Sequence, residues 1–140
     1  MNINDVRLLS FSNVQNMLGK QIELSRGGGK FPFKIRRIFY SYATERGTVR
    51  GAHANRESEF VLISVSGTLK VRVDDGERES VYNLKNPSMG LYIPQMIWKE
   101  MYDFSEHNVL LVISSEPYDA NEYIRNYDDF LTEIKNKKLI

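Results

Sequence analysis

The stretch Gly47-Thr-Val-Arg-Gly-Ala-His53-Ala-Asn55-Arg-Glu-Ser-Glu59, with the run Phe60–Val65 and the turn Ser66-Gly67 behind it, decides how this chain is read. Side chains alternate across a strand, so Gly51, His53 and Asn55 fall on one face and Ala52 and Ala54 on the other. Alanines flanking a histidine predict a strand crowded on its outer side. Outward from this stretch, Ile35–Tyr42, Thr68–Val73, Gly90–Ile93, Ile97–Tyr102 and Asn108–Ser114 are short and rich in β-branched and aromatic residues. Turn signals separate them: Asp74-Asp75-Gly76, Asn86-Pro87 and Ser105-Glu106-His107-Asn108. Asp75-Gly76 before Ser80–Leu84 predicts a hairpin. Short, regularly spaced strands with little helix between them predict an all-β sandwich or barrel rather than a βαβ fold.

The chain has 140 residues, 41% hydrophobic and 26% charged, which is most simply one domain spanning residues 1–140. Nineteen basic residues against eighteen acidic ones give no overall pull toward nucleic acid. No apolar run reaches the length of a membrane span, and residues 1–20 lack the pattern of a signal peptide, so the expected location is cytoplasmic. There is no cysteine, which excludes disulfides, thiolate catalysis and zinc–thiolate sites.

The two ends read differently. Asp119 is predicted to cap a helix, with Glu122 supporting its start. Tyr123, Tyr127, Phe130, Leu131 and Ile134 then recur at helical spacing, and Glu133 and Lys137 can pair across a turn. Near the front, Ser25-Arg-Gly-Gly-Gly29-Lys30 suggests a phosphate loop. The required earlier glycine falls at Leu24, however, and Phe31 replaces the hydroxyl residue, so it reads as a basic surface loop.

The order glycine, His-x-His, glutamate, glycine resembles the first motif of a cupin barrel, here with Asn55 as the second histidine. Pro94-Gln-Met-Ile-Trp98-Lys99 resembles the second, Pro-x-Gly-x-x-His, with Lys99 in the histidine's place. The four ligand positions would then be His53, Asn55, Glu59 and Lys99. Asparagine is a poor ligand for a transition metal and a lysine ammonium is none, so the donor set predicts proton chemistry without a metal. His53 is the natural general base beside a carbonyl, set against the plainer reading of a hydrogen-bonded core histidine. On the preceding strand Arg36, Ile38, Tyr40 and Tyr42 share one face, and Arg37 and Phe39 the other. Trp98, the only tryptophan, suits core packing or stacking on a base or sugar.

A longer set of segments resembles one family across nearly the whole chain. It comprises Ile35-Arg-Arg-Ile-Phe-Tyr40, Arg50-Gly-Ala-His53-Ala, Val71-x-Val-Asp-Asp-Gly76, Asn86-Pro-Ser-Met-Gly-Leu-Tyr-Ile93, Trp98-Lys-Glu-Met-Tyr-Asp-Phe104 and Tyr118-Asp-x-x-Glu-Tyr-Ile-Arg125-Asn-Tyr-Asp128. These are similar to the sugar 3,4-ketoisomerases, which act on a thymidine-diphosphate-linked 4-keto-6-deoxyglucose in the synthesis of bacterial surface or antibiotic sugars. The resemblance implies an RmlC-like cupin jelly roll with a C-terminal helix, no metal or other cofactor, a dTDP-linked keto-deoxyhexose as substrate, and a homodimer exchanging N-terminal strands. For the last, Val6–Phe11 could serve as an edge strand that another sheet completes. It assigns the base role to His53, with Tyr40 or Asn55 as helper. Arg36, Arg37 and Arg50 become candidates for the diphosphate, with Lys99 and Trp98 as further substrate contacts. Loss of the second histidine leaves two alternatives open: an isomerase or epimerase of another keto-sugar, and a cupin that binds a nucleotide-sugar without turning it over.

Overall fold

A computed structural model describes residues 2–16, 19–25 and 31–139; the Ser25–Lys30 loop lies almost wholly outside them. In chain order come a 3-10 turn (Ile3–Asp5) and strands β1 (Arg7–Ser10), β2 (Asn13–Asn16), β3 (Gly19–Ile22), β4 (Arg37–Tyr42), β5 (Arg50–Asn55) and β6 (Phe60–Ser66). They are followed by β7 (Leu69–Asp74), β8 (Glu79–Leu84), β9 (Met89–Ile93), β10 (Trp98–Tyr102) and β11 (Val109–Ser114). A second 3-10 turn (Ala120–Glu122), β12 (Tyr123–Ile124) and helix α1 (Tyr127–Lys138) complete the chain. One antiparallel sheet runs β1-β9-β6-β11-β4, and the other β12-β5-β10-β7-β8. The hairpin β2-β3 forms a separate ribbon. The two sheets form the barrel that the strand pattern predicts, and it is the jelly roll that the resemblance implies.

The apolar run of β6 does not alternate with polar residues because both faces of its sheet are covered. Phe60 and Leu62 turn inward to meet Leu91, Leu110 and Val112 from the same sheet and Leu69, Val71 and Val73 from the other. Val61 and Ile63 turn outward, under an aromatic layer of Phe11, Phe31, Phe33 and Tyr92. Phe31 and Phe33 meet edge to face at 4.9 Å. The second sheet is covered on its outer side by α1, which presses Phe130 onto Ala54, Trp98 and Ile124.

Three local expectations change. Asp119 caps only the 3-10 turn, where its side chain accepts from the Asn121 N–H. The α-helix starts later, at Tyr127, because Tyr123 and Ile124 spend their backbone pairing with Asn55 and Ala54, and Asn126 then caps the helix through the Asp129 N–H at 3.0 Å. Glu133 does not pair with Lys137; Arg56 forks both of its oxygens, at 3.0 and 3.1 Å from Nε, which fastens the helix to the end of β5. Val6–Phe11 lies at a sheet edge, but β9 of its own chain pairs with it, and the buried Val6 and Phe11 anchor both ends. The Asp75-Gly76 turn forms as predicted, with Gly76 at φ 95° and its N–H donating to Asp74 at 2.7 Å.

Candidate active site

Gly51 has φ 82° and Ala52 φ 55°, and the β5–β10 register slips there: Lys99 faces His53, while Glu100 faces Gly51. Ala52 is thus the extra residue of a bulge, a device that re-aims the side chains beside it. A side chain at Gly51 would lie 3.0 Å from both the Lys99 carbonyl and the Met101 sulfur, so position 51 accepts only glycine. The bulge leaves His53 and Lys99 side by side on the inner face of the barrel, lining a cavity of about 240 Å³. Phe60, Leu62 and Met101 make its apolar walls, and Arg50 and Tyr123 stand at its rim.

Lys99 is 3% exposed. Its Nζ donates to Asn55 Oδ1 at 3.2 Å and to the Ile97 carbonyl at 3.4 Å, and it lies 5.0 Å from the Phe60 ring centre. Burial pushes its pKa down to about 7, and the negative charge of Glu122 only partly offsets that. Glu122 is buried too. Burial alone would raise its carboxyl, but the Ser58 hydroxyl and the Ser58 and Glu57 N–H groups outweigh this and hold it below the ordinary range. His53 sits 4.8 Å from the Tyr123 ring, and its Nδ1 has no hydrogen-bond partner among the described residues. Burial first, and the Lys99 charge second, push its pKa down to about 3, so the imidazole is neutral at any ordinary pH.

The other predicted residues divide. Asn55 is fully buried behind Lys99. Arg37 reaches the rim: it donates to the Tyr123 hydroxyl at 3.1 Å and lies over the Phe39 and Tyr118 rings at 4.5 and 5.3 Å. Arg50, on the opposite rim, donates through Nε to Thr44 at 2.9 Å and leaves its guanidinium exposed. Arg36 points elsewhere, 3.5 Å from Glu116 on the surface. Tyr40 borders the rim, yet it pairs with Leu111 of the outer layer, while its neighbour Phe39 pairs with the inward Val112. The sequence separates the two faces of β4 correctly; only the β11 register tells which one is inner. Trp98 is one residue out of phase with Lys99 and packs outside the barrel against Tyr127 at 5.3 Å and Phe130 at 5.9 Å, with Nε1 donating to Glu100. Glu59 also turns outward, accepting a hydrogen bond from the Tyr92 hydroxyl. The four cupin ligand positions therefore do not converge, and an amine held by an amide is no metal site. Tyr123 and Glu122, missed as site residues, belong to the Tyr118–Asp128 segment, whose helical spacing concealed a strand.

Residues 4–135 match the family described as FdtA: WxcM-like, C-terminal. The chain belongs to this family. Within its reach is the TDP-4-oxo-6-deoxy-alpha-D-glucose-3,4-oxoisomerase of Aneurinibacillus thermoaerophilus, 34% identical over 124 residues, which are 89% of this chain and 88% of that protein. A 3,4-ketoisomerase from Helicobacter canadensis superposes with a TM-score of 0.90 at 39% identity, covering 94% of this chain and 98% of that one. A histidine-to-asparagine mutant of the 3,4-ketoisomerase from Thermoanaerobacterium thermosaccharolyticum, in complex with TDP-4-keto-6-deoxyglucose, superposes with a TM-score of 0.91 at 36% identity over the whole of both chains. The barrel extends beyond the family: an RmlC epimerase of Mycobacterium tuberculosis shares it at a TM-score of 0.73 and 15% identity, over 88% of this chain and 69% of that one.

Proposed function

We propose that this chain is a ketoisomerase converting a TDP-linked 4-keto-6-deoxyhexose to its 3-keto isomer through an enediol. The observation that carries the reading is the buried imidazole of His53, its Nδ1 without a hydrogen-bond partner among the described residues, beside the buried amine of Lys99 in one small cavity. A proton leaving C3 needs a base that is already free of its own proton, and the developing charge on the C4 oxygen needs a donor in a dry site. His53 supplies the first and Lys99 the second. At about 240 Å³ the cavity is smaller than the roughly 300–1,000 Å³ of pockets that enclose a drug-sized ligand, so it takes one sugar ring and leaves the nucleotide at the rim. Arg37 and Arg50 stand there to meet the diphosphate.

The protein acts as a homodimer. The free edge strand β4 supports this, because Ile38, Tyr40 and Tyr42 are 58–68% exposed on it. No helix among the described residues is long and apolar enough to cross a membrane, and a nucleotide-sugar substrate goes with a cytoplasmic setting.

A second reading, binding without turnover, draws on Asn55 alone, an amide that carries no proton where the cupin motif has its second histidine. Proton NMR of TDP-4-keto-6-deoxyglucose with the protein in deuterium oxide separates the two. Loss of the C3 proton signal and growth of a 3-keto product are expected of the isomerase. A bound but unexchanged substrate would sink it.

A further inference from the structure

Asparagine cannot carry a proton at neutral pH, yet it stands where the His-x-His motif has a titratable side chain. The isomerisation needs two proton transfers, one from C3 and one to C4, and one imidazole does not obviously reach both carbons. We propose that Lys99, positioned by Asn55, delivers the proton to C4, so that this duty lies across the strand pair from His53 rather than two residues along the same strand. This rests on the ketoisomerase reading above.

Three features of the site carry it. First, Lys99 and His53 are direct cross-strand partners on the inner face, and such partners have Cβ atoms about 4.5–5.5 Å apart. Two groups at that spacing suit adjacent carbons of one ring. Second, the ammonium has three N–H donors. Two are taken, by Asn55 Oδ1 and the Ile97 carbonyl, which leaves one for the cavity. Third, among the described residues no carboxylate bonds to this amine. Glu122 is the acidic group near it, and Ser58 and the backbone of Glu57 and Ser58 hold that carboxylate instead. A salt bridge would fix the proton on Lys99; an amide oxygen holds the amine in place and lets the proton go. The lowered pKa of about 7 agrees with such a role.

The chemistry balances. His53 takes the C3 proton, the C3–H electrons form a C3=C4 bond, and the C4 oxygen becomes an enolate held by the free Lys99 N–H. The O3 proton passes to O4. The C3–O3 carbonyl then forms as the C3=C4 electrons take a proton from Lys99 onto C4. The proton on His53 returns to Lys99 to close the cycle. The two positive charges disfavour one another, so protonation of His53 pushes Lys99 to release its own proton. Around the pair, Glu122 favours protonation of both, Arg125, which lies over the Tyr123 ring, disfavours protonation of His53, and the Arg50 guanidinium stands at the rim of the same cavity. Lys99 does not act as a nucleophile. An imine at C4 would leave that carbon bonded to nitrogen after the shift and could not release a 4-hydroxyl product.

The test follows both carbons at once, with TDP-4-keto-6-deoxyglucose in deuterium oxide. The wild-type protein first tests the ketoisomerase reading itself, through C3 exchange and 3-keto product; if it shows neither, that reading and this one fall together. Lys99→Met loses both the donor to the C4 enolate and the source of the C4 proton, so C3 exchange should drop on the order of 100-fold and 3-keto formation at least about 10-fold further, lowering the ratio of product to C3 exchange. Since the chain has no cysteine, Lys99→Cys can be alkylated with bromoethylamine at that position alone, and the restored amine should recover product formation. Lys99→Arg keeps the charge but holds its proton too tightly, and should not. Borohydride added during turnover should leave the protein's mass unchanged. Product formation by Lys99→Met within threefold of wild type, an unchanged ratio of product to C3 exchange in that variant, or a borohydride-trapped adduct would each overturn the assignment.

Discussion

Arg37 donates a hydrogen bond to the Tyr123 hydroxyl at 3.1 Å, joining edge strand β4 of one sheet to edge strand β12 of the other across the mouth of the barrel. The same Tyr123 ring leans on His53 on its inner side and carries Arg125 over it at 4.6 Å. The rim is therefore a single cationic and aromatic ledge built from both sheets.

Arg37→Ala should accordingly weaken TDP binding by about tenfold or more while changing kcat far less, because a diphosphate contact is made equally in the ground and transition states. Arg36→Ala, which removes only a surface pairing with Glu116, should leave affinity within twofold. Calorimetric titration with TDP reads both. Equal effects from the two arginines would remove the rim from the nucleotide site.

The buried bases fix the sign of the pH dependence of stability. Lys99 has a folded pKa of about 7 against the usual 10.5, so the unfolded chain holds this proton more tightly. The cost is full below pH 7 and is relieved as pH rises from 7 to 10.5. His53, at about 3 against 6.5, adds stability that is complete above pH 6.5 and is lost as pH falls toward 3. Lys99→Met should thus stabilise the fold by about 2–4 kcal/mol at pH 6, with the gain shrinking toward pH 10. Urea midpoints at pH 6, 8 and 10 measure it. A gain independent of pH would show that the lysine's charge is not the cause.

Trp98→Ala should cost about 3–5 kcal/mol of stability and leave TDP affinity unchanged in protein that remains folded, since its ring packs under α1 and not in the cavity. Denaturant unfolding with a parallel TDP titration separates the two effects. A large loss of affinity with intact stability would return the indole to the binding site.

Sedimentation should give twice the 16.3 kDa chain mass. Ile38→Lys, on the exposed edge strand β4, should shift the protein toward monomer. A wild-type monomer at micromolar concentration would remove the dimer and leave the barrel untouched.

The strands and turns were legible because each carries its own signal: β-branched runs, Asp-Gly at the β7–β8 turn, and small residues around His53. The orientation of β4 was not, since alternation pairs Tyr40 with Ile38 whichever way the strand faces, and only contact with β11 decides. The same limit applies to Trp98, whose side is set by the register of β10 against β5 and β7. The Tyr118–Asp128 segment hides its strand for a different reason. Its apolar spacing suits a helix, but its backbone is claimed by the edge of β5, a non-local partner that no local pattern announces.

Ala54 is fully buried on the reverse side of the histidine strand, under Phe130 and Ile124. Any larger side chain there would have to lift the C-terminal helix, and the strand carrying His53 would move with it. The back of β5 is thus closed to adjustment, whereas β10 contributes Lys99 to the cavity from a position whose own neighbours are an amide, a carbonyl and a phenyl ring. In a lineage drifting toward new sugars, variation would collect at position 99 and along the rim, while alanine at 54 and glycine at 51 stayed fixed for reasons of space alone.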